Sequence, residues 1–542
     1  MHFENIIIGG GPAGLQCAYF FKKHKINYIV LERSNKSGSF FEKFPHSGKL
    51  ISINKKYVGS DDPDFKLRHD WNSLLNDEQH LFTDYSEDFY PDSSKLVDYL
   101  NDFTTKNELN IKYNTSVEKI SKQNGNYVIQ IQDSSEQYIC NKLIMATGMS
   151  KLNFPDFVLN VKDKIKHYGE YPPAYFLQKD NQEEFKNKRI ILFGAGNASF
   201  ELANILTGIA SHILIVGRNK KKWAMSSHYS GDIRSVYLPF MDTFLLKSLN
   251  GYDYVEEIKD GNENIRICQD NERGKYYLLD EKVQDRKLYN GKDFDKVIFC
   301  TGWKFDNSLF DFPVDTIDNK TNLPSINFKF ESFNNENLFF IGTLMQSLGL
   351  KQSSSGFIHG FRYLIKAFVN INYNINYEMM PFLLNNKANY ETLINVILSR
   401  INSSSDMYQM FSFIGDIILV DVNKKRGVYY KNIPLIHKAN LLGYSEKILQ
   451  STNLLMYVIT LEYGTQKIEN YLNFGDNSFG VGNEAKTTLI HPVIKLINPY
   501  NDLLIDVYCF SEDIFAEFKD PIFYYEKLKR VFHSVSDFNV LS

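Results

Sequence analysis

A glycine-rich turn near the start of the chain has the spacing that brings a backbone close to a phosphate group. It reads Gly9-Gly10-Gly11-Pro12-Ala13-Gly14, follows a short apolar run and opens a helical pattern. The glycines allow close approach to a pyrophosphate, and the helix N-terminus offers unpaired N–H groups and the positive end of its dipole. Glu32 ends the next predicted strand and can accept from ribose hydroxyls. Gly9, Gly11, Gly14 and Glu32 therefore predict a dinucleotide site, and the N-terminal position of this first glycine turn (residues 9–14) favours FAD.

A second glycine turn, residues 194–199, repeats the order of strand, turn, helix and strand. It reads Gly194-Ala195-Gly196-Asn197-Ala198-Ser199. No acidic residue closes the strand that follows it; Arg218 stands there instead. An arginine at this place suits the 2′-phosphate of a ribose. Gly194, Gly196, Asn197 and Arg218 therefore predict NADPH in preference to NADH.

Three later strands also end in a glycine. The two units close at Thr147-Gly148 and Thr301-Gly302, and a further apolar strand ends at Gly342. Residues 353–357 then lead into a helix whose N-terminus would face the pyrimidine side of a flavin and stabilise negative charge on it. We predict that Gly148 and Gly342 belong to the cofactor site.

These patterns predict an α/β fold with two Rossmann-like dinucleotide-binding domains and a C-terminal α+β region. The expected FAD domain comprises residues 1–186 and 305–372, and the NADPH domain, residues 187–304, is inserted into it. Residues 373–542 form the C-terminal region, which has no assigned role. Within it the apolar spacing predicts helices over residues 392–401 and 407–419.

Charge, cysteine spacing and the length of apolar runs argue against several classes of protein. Lys plus Arg number 61 and Asp plus Glu 64, so the chain has no basic field for nucleic acid. Its five cysteines form no C-x-x-C, which argues against a zinc site, a disulfide framework and a local dithiol. No apolar run approaches the ~20 residues of a membrane helix. The chain starts directly with a strand pattern, and we expect a reduced cytoplasmic protein without a membrane partner.

Longer stretches resemble a known family. The most specific are Arg68-His69-Asp70-Trp71-Asn72-Ser73-Leu74-Leu75 and Gly356-Phe357-Ile358-His359-Gly360-Phe361-Arg362-Tyr363. The other stretches are residues 39–45, 49–55, 85–88, 223–224, 228–229, 231–232, 246–249, 408–411 and 491–494. Together they are similar to the FAD-dependent oxidoreductase domain-containing protein two family, flavoproteins related to the flavin-containing monooxygenases. The resemblance covers nearly the whole chain.

The resemblance implies a flavin enzyme that uses NADPH. It places Asn54 where the monooxygenases keep an asparagine beside the flavin and the nicotinamide, so Asn54 is the predicted catalytic residue. The expected reaction is hydride transfer from NADPH to FAD, then reaction with oxygen and oxygenation of a small N- or S-nucleophile. Two alternatives remain open: a reductase that passes electrons to a protein partner, and a flavin-bound scaffold without catalytic activity.

Overall fold

The computed structural model describes most of the chain. The described residues are 1–154, 165–217, 221–246, 250–254, 265–270, 273, 275–280, 286–287, 292–318, 322–349, 353–464 and 484–533. Within them no helix combines the length and the apolar composition that a membrane crossing requires.

The N-terminal part alternates strands and helices. Its elements are β1 (His2–Ile8), α1 (Pro12–Lys23), β2 (Tyr28–Leu31), α2 (Phe40–Lys43), α3 (Pro63–His69), α4 (Ser93–Lys106), β3 (Ile111–Lys112), β4 (Val117–Gln123), β5 (Asn126–Ile131) and β6 (Gln137–Met145). The apolar residues of α4 recur at three- and four-residue intervals, and Leu96, Tyr99, Leu100 and Phe103 are all buried. The helix packs this face into the core beside α1.

The middle of the chain holds a second alternating unit. Its elements are β7 (Lys151–Leu152), β8 (Lys166–His167), α5 (Lys179–Gln182), β9 (Arg189–Phe193), α6 (Asn197–Leu206), β10 (His212–Gly217), α7 (Ala224–Ser227), α8 (Leu238–Leu245), β11 (Gly251–Tyr254), β12 (Ile265–Asp270), β13 (Lys275–Asp280), β14 (Arg286–Lys287), β15 (Lys296–Phe299) and β16 (Trp303–Lys304). The chain then returns to the first unit with β17 (Leu338–Phe340) and α9 (Ile358–Asn372).

A sheet whose central strands are parallel lies at the centre of each unit. The first sheet has the order β3-β2-β1-β6, with β17 beside β6 and the antiparallel β4 and β5 beyond. The second sheet is parallel throughout, in the order β11-β10-β9-β15-β8. A two-stranded ribbon of β7 and β16 lies where the chain passes between them. The α/β class with two Rossmann-like units is confirmed.

The domain limits stay predictions. β8 pairs with β15, so the second sheet already contains residues 166–167, which lie before the predicted limit at residue 187. A separate antiparallel sheet of three strands, β12-β13-β14, lies beside the second sheet.

The C-terminal region is a six-stranded antiparallel sheet flanked by helices. Its elements are β18 (Met379–Leu383), α10 (Lys387–Ser403), α11 (Ser405–Gln409), β19 (Ile414–Asp421), β20 (Arg426–Pro434), α12 (Leu442–Leu449), β21 (Leu455–Tyr463), β22 (Ile490–Asn498), β23 (Leu503–Cys509) and α13 (Glu526–His533). The strand order is β18-β20-β19-β21-β22-β23. The helix predicted over residues 392–401 lies within α10. The helix predicted over residues 407–419 is wrong, because α11 ends at Gln409 and β19 begins at Ile414.

Short 3₁₀ and π segments connect these elements. The 3₁₀ segments are Phe82–Asp84, Tyr168–Glu170, Tyr175–Leu177, Ser235–Tyr237, Gly342–Leu348, Leu435–Leu441 and Glu484–Lys486, and the π segment is Pro521–Tyr525.

A buried arginine joins the C-terminal region to α3. Arg400 of α10 donates to both carboxylate oxygens of Asp416, at 2.7 and 3.1 Å, and to Asp64 of α3 at 3.0 Å. Asp406 lies 3.3 Å from the same guanidinium. Burial alone would lower the pKa of Arg400, but these three carboxylates raise it. The network therefore pairs charges that burial would otherwise make costly.

Breaking this network should destabilise the protein strongly. We expect Arg400→Met to lower the free energy of unfolding by about 3–5 kcal/mol, because Asp406 and Asp416 would stay buried without their cation. Urea unfolding followed by circular dichroism measures this. Lys387→Met is the matched control, since Lys387 lies on the same helix and forms only an exposed pair with Glu391. If Arg400→Met were as stable as this control, the network would not have the role described.

Candidate active site

The first glycine turn packs against the end of a neighbouring strand. Gly9 has a φ of +111°, and a Cβ there would lie 2.7 Å from the carbonyl oxygen of Ala146. A Cβ on Gly14 would overlap the carbonyl oxygen of Gly9, because α1 starts directly over the turn. At Gly11 a Cβ would meet no atom of the described residues within 4 Å. Two of the glycines are thus required by packing, and Gly11 faces space into which a ligand can approach the backbone.

Glu32 lies at the rim of this turn. Its carboxylate accepts the N–H of Gly10 at 2.6 Å and the N–H of Ser34 at 2.8 Å. The side chain is buried, with 7% of its surface exposed. Each carboxylate oxygen retains a second lone pair for a further donor, such as a ribose hydroxyl.

The two other glycines predicted for this site lie on adjoining chain segments. Gly148 follows the strand end that contacts Gly9; it has a φ of +61°, and a Cβ on it would meet open space. Gly342 has a φ of +73°, and a Cβ on it would overlap the Cβ of Ala13 in the first turn of α1. Both positions lie in the left-handed region that favours glycine.

The second glycine turn repeats the geometry of the first. Gly194 has a φ of +114°, and a Cβ on it would lie 2.5 Å from the carbonyl oxygen of Cys300. A Cβ on Gly196 would meet none of the atoms that the structure describes within 4 Å. The third position differs, because Ser199 replaces a glycine there and its hydroxyl donates to the carbonyl oxygen of Gly194. Each turn thus has one position open to a ligand.

Of the two polar residues predicted for the second nucleotide, the structure describes the contacts of Asn197. The Asn197 amide donates to the carbonyl oxygens of Gly231 and Asp232, at 3.1 and 3.0 Å, and accepts the N–H of Arg234 at 3.0 Å. Its side chain therefore holds a neighbouring loop, a role that the sequence did not indicate. Arg218 lies outside the described residues.

Asn54 lies on a different chain segment from the two turns, where it pairs with Asp70 in an isolated antiparallel bridge. Its amide nitrogen donates to the carbonyl oxygens of Ser86 and Asp88, at 2.7 and 3.2 Å. Its Oδ1 is buried and has no hydrogen-bond partner within the described part of the chain. Flipping the amide would set its oxygen against two carbonyl oxygens, so the observed orientation is the favourable one. Asn54 therefore offers a ligand an acceptor and keeps its donors occupied.

A junction segment, residues 228–234, brings the two units together; the sequence analysis gave it no role. Tyr229 contacts the ring of Phe357, with centroids 5.8 Å apart, and accepts a hydrogen bond from Gln346. The hydroxyls of Ser230 and Ser354 lie 3.3 Å apart. The segment thus reaches the residues just before α9. Residues 228–229 and 231–232 of this segment resemble the family, but that resemblance does not indicate which residues they contact.

Unpartnered hydroxyls lie in the same place. The side chains of Ser353 and Ser355 are at most 1% exposed, and neither hydroxyl has a partner among the described residues. Buried hydroxyls are normally hydrogen-bonded, so these two are candidates for contact with a ligand at the N-terminus of α9.

The described thiols are poorly suited to disulfide chemistry. Cys17, Cys140, Cys300 and Cys509 are all free, and the Cys268 side chain lies outside the described residues. Burial raises the pKa of Cys140 and of Cys300 to about 12. Both therefore remain protonated near neutral pH, where a thiolate would be needed for exchange.

Comparisons with known proteins agree with two nucleotide-binding units. Residues 6–342 match the family model described as pyridine nucleotide-disulphide oxidoreductase. FAD-dependent oxidoreductase domain-containing protein 2 of Mus musculus is 31% identical over 91% of this chain and 76% of its own length. The protein of the same name from Danio rerio is 31% identical over 97% of this chain and 82% of its own length.

The chain belongs to this FAD-dependent oxidoreductase family. A solved flavin-containing monooxygenase from Stenotrophomonas maltophilia shares the fold, with a TM-score of 0.51 and 17% identity, over 69% of this chain and 99% of its own. The protein is therefore a flavin-dependent oxidoreductase, and its cofactor is FAD. The open position at Gly11 and the acceptor at Glu32 fit the ADP half of that cofactor.

Gly11→Glu should give folded protein without flavin. A Cβ at this position meets no described protein atom within 4 Å, so we expect the variant to fold, but its carboxylate puts negative charge where a pyrophosphate would lie. We expect loss of the yellow colour and of flavin released on denaturation. Gly443→Glu is the control, because Gly443 also faces open space but lies in the C-terminal region. A Gly11→Glu protein with a full complement of flavin would remove this turn from the FAD site.

Proposed function

We propose that the protein oxidises NADPH through bound FAD and passes the electrons to oxygen, with a small N- or S-nucleophile as the substrate. The observation that carries the proposal is the pair of glycine turns, each with an open second glycine, at Gly11 and Gly196. Two such turns in one chain suit one resident and one exchanging dinucleotide. When bound, FAD supplies the redox chemistry, while the protein supplies placement and exclusion of water.

The residues of the first turn are assigned to FAD. Gly9 and Gly14 allow α1 to start close to the strand ends, and Gly11 leaves room for the pyrophosphate. Glu32 would accept from the adenosine ribose. Gly148 and Gly342 would keep the neighbouring strand ends free of side chains on the same side of the sheet.

The residues of the second turn are assigned to NADPH. Gly194 and Gly196 form the equivalent turn, and Asn197 anchors it to the junction segment. Arg218 follows β10, where a guanidinium would pair with the 2′-phosphate of the adenosine ribose.

Asn54 is proposed as a residue of the reaction site. Its unpartnered Oδ1 would accept from an N–H or O–H of a bound group. The amide donors are already used by the carbonyl oxygens of Ser86 and Asp88, so the acceptor is the atom left for a ligand.

The reaction of the reduced flavin with oxygen distinguishes a monooxygenase from a reductase, an oxidase or a scaffold. Protein reduced by NADPH without oxygen is mixed with oxygenated buffer, and the flavin absorbance is followed. A long-lived spectrum distinct from oxidised and reduced flavin supports oxygenation of a small nucleophile. A direct return to the oxidised spectrum contradicts it and favours a reductase with a protein partner or an oxidase. No reduction by NADPH would favour the scaffold.

Arg218→Ala should separate the two nicotinamide nucleotides. A lost charge-assisted phosphate contact costs about 1.5–3 kcal/mol, so we expect KM for NADPH to rise about 10- to 100-fold. KM for NADH should change little, because NADH has no 2′-phosphate. Arg189→Ala, an exposed arginine of the same unit, serves as the control. Equal rises for NADPH and NADH in Arg218→Ala would remove Arg218 as the selecting residue.

A further inference from the structure

We propose that Arg234 is a positioning residue that fixes the second glycine turn relative to the first. It acts through an interregion stack, defined as Arg234, Trp71 and His359. The inference rests on the proposed function and deepens it, since it names the side chains that would set the placement of the two nucleotides.

The stack is continuous across the two units. The guanidinium carbon of Arg234 lies 5.0 Å from the ring centroid of Trp71. Trp71 in turn stacks on His359, with ring centroids 4.1 Å apart and planes that differ by 23°. Phe357 extends the stack behind His359, at 5.9 Å and 17°. A cation over an indole face and near-parallel offset rings are both attractive arrangements.

One end of the stack is tied to the second glycine turn. Asn197, in the first turn of α6, accepts the N–H of Arg234 and donates to the carbonyl oxygens of the two residues at 231 and 232. Arg234 also donates from Nη1 to the carbonyl oxygen of Ile51 at 2.8 Å. The Arg234 backbone is thus held by one unit, and its side chain is held by the other.

The other end is tied to the flavin side of the molecule. His359 is the second residue of α9 and is 1% exposed. The N-terminus of α9 also contacts the junction segment, because the Ser354 hydroxyl lies beside that of Ser230. The 3₁₀ segment Gly342–Leu348, which starts against Ala13 of the first glycine turn, contacts it as well through Gln346 and Tyr229.

These contacts define what Arg234 does. A chain of contacts runs from the Asn197 amide to the Arg234 backbone, and from the Arg234 guanidinium through Trp71 to His359. Transfer between two bound cofactors depends on their separation and angle, and a displacement of about 1 Å can cost about 100-fold in rate. Arg234 therefore affects the rate of flavin reduction without touching either nucleotide.

The test measures the reduction of bound FAD by NADPH in the absence of oxygen, over a range of NADPH concentrations. For Arg234→Met we expect the limiting rate to fall about 10- to 100-fold, with the apparent Kd for NADPH within about twofold of the wild-type value. Arg234→Lys, which keeps the charge, should recover part of the rate. Arg189→Met is the matched control and should behave as wild type.

Two results would overturn the proposal. An unchanged limiting rate in Arg234→Met would show that the stack does not set the placement. A raised Kd with an unchanged rate would show that Arg234 binds NADPH directly. If Arg234→Met does not fold, the pair Trp71→Phe and Trp71→Leu decides. Phe keeps a ring between Arg234 and His359, so only Leu should slow the reduction; equal rates for the two would reject the stack.

A measurement without NADPH separates this proposal from the proposed function. The emission of Trp71 is obtained as the difference between wild type and Trp71→Phe. Arg234→Met, measured against Arg234→Met with Trp71→Phe, should show red-shifted Trp71 emission and stronger quenching by acrylamide. An unchanged emission would contradict the stack. If the emission shifts but wild-type FAD is not reduced by NADPH, the proposed function fails, and the stack remains only as a structural contact.

Discussion

The docking of α9 onto residues 67–73 is the contact on which the arrangement of the regions depends. Arg362 is fully buried and donates to the backbone carbonyl oxygens of Leu67, Asp70 and Ser73, at 2.8, 3.1 and 2.8 Å. A buried guanidinium is costly unless its donors are matched, so these carbonyl groups fix where the helix can sit. One turn earlier, His359 packs on Trp71. The two longest family stretches therefore contact each other directly.

The same segment also binds the C-terminal region, which is an integral part of the molecule. Arg68 donates to the carbonyl oxygens of Ile401 and Ser404 at the end of α10, where a positive charge complements the helix dipole. The region also reaches the second unit, because the rings of Tyr463 and His228 stack with centroids 3.7 Å apart. Burial lowers the pKa of His228 to about 4, so its ring stacks in the neutral form. All three regions thus meet at the junction segment.

The features that the sequence predicts correctly are those determined by residues close together in the chain. Both glycine turns were found because the strand, the turn and the following helix are adjacent in the chain. β19 was mistaken for helix, because a central strand buried on both faces has no alternation to distinguish it. The contacts of Asn197, Arg234 and Trp71 join distant residues, and nothing in their own neighbourhood indicates the partner.

The charge state of His359 explains how the stack is tolerated in a buried place. Its pKa lies well below the ordinary value, because burial disfavours the charged form and the guanidinium groups of Arg362 and Arg234 oppose it further. A protonated imidazole would bring a third positive charge beside these two, whereas the neutral ring packs against Trp71 as an aromatic surface. The positive charge that lies over Trp71 is therefore that of Arg234, whose backbone is bound to the second glycine turn, and His359 of α9 contributes a neutral ring. Arg234 therefore lies over the indole as the cation of the stack, and the neutral His359 ring packs against the same indole as an aromatic surface.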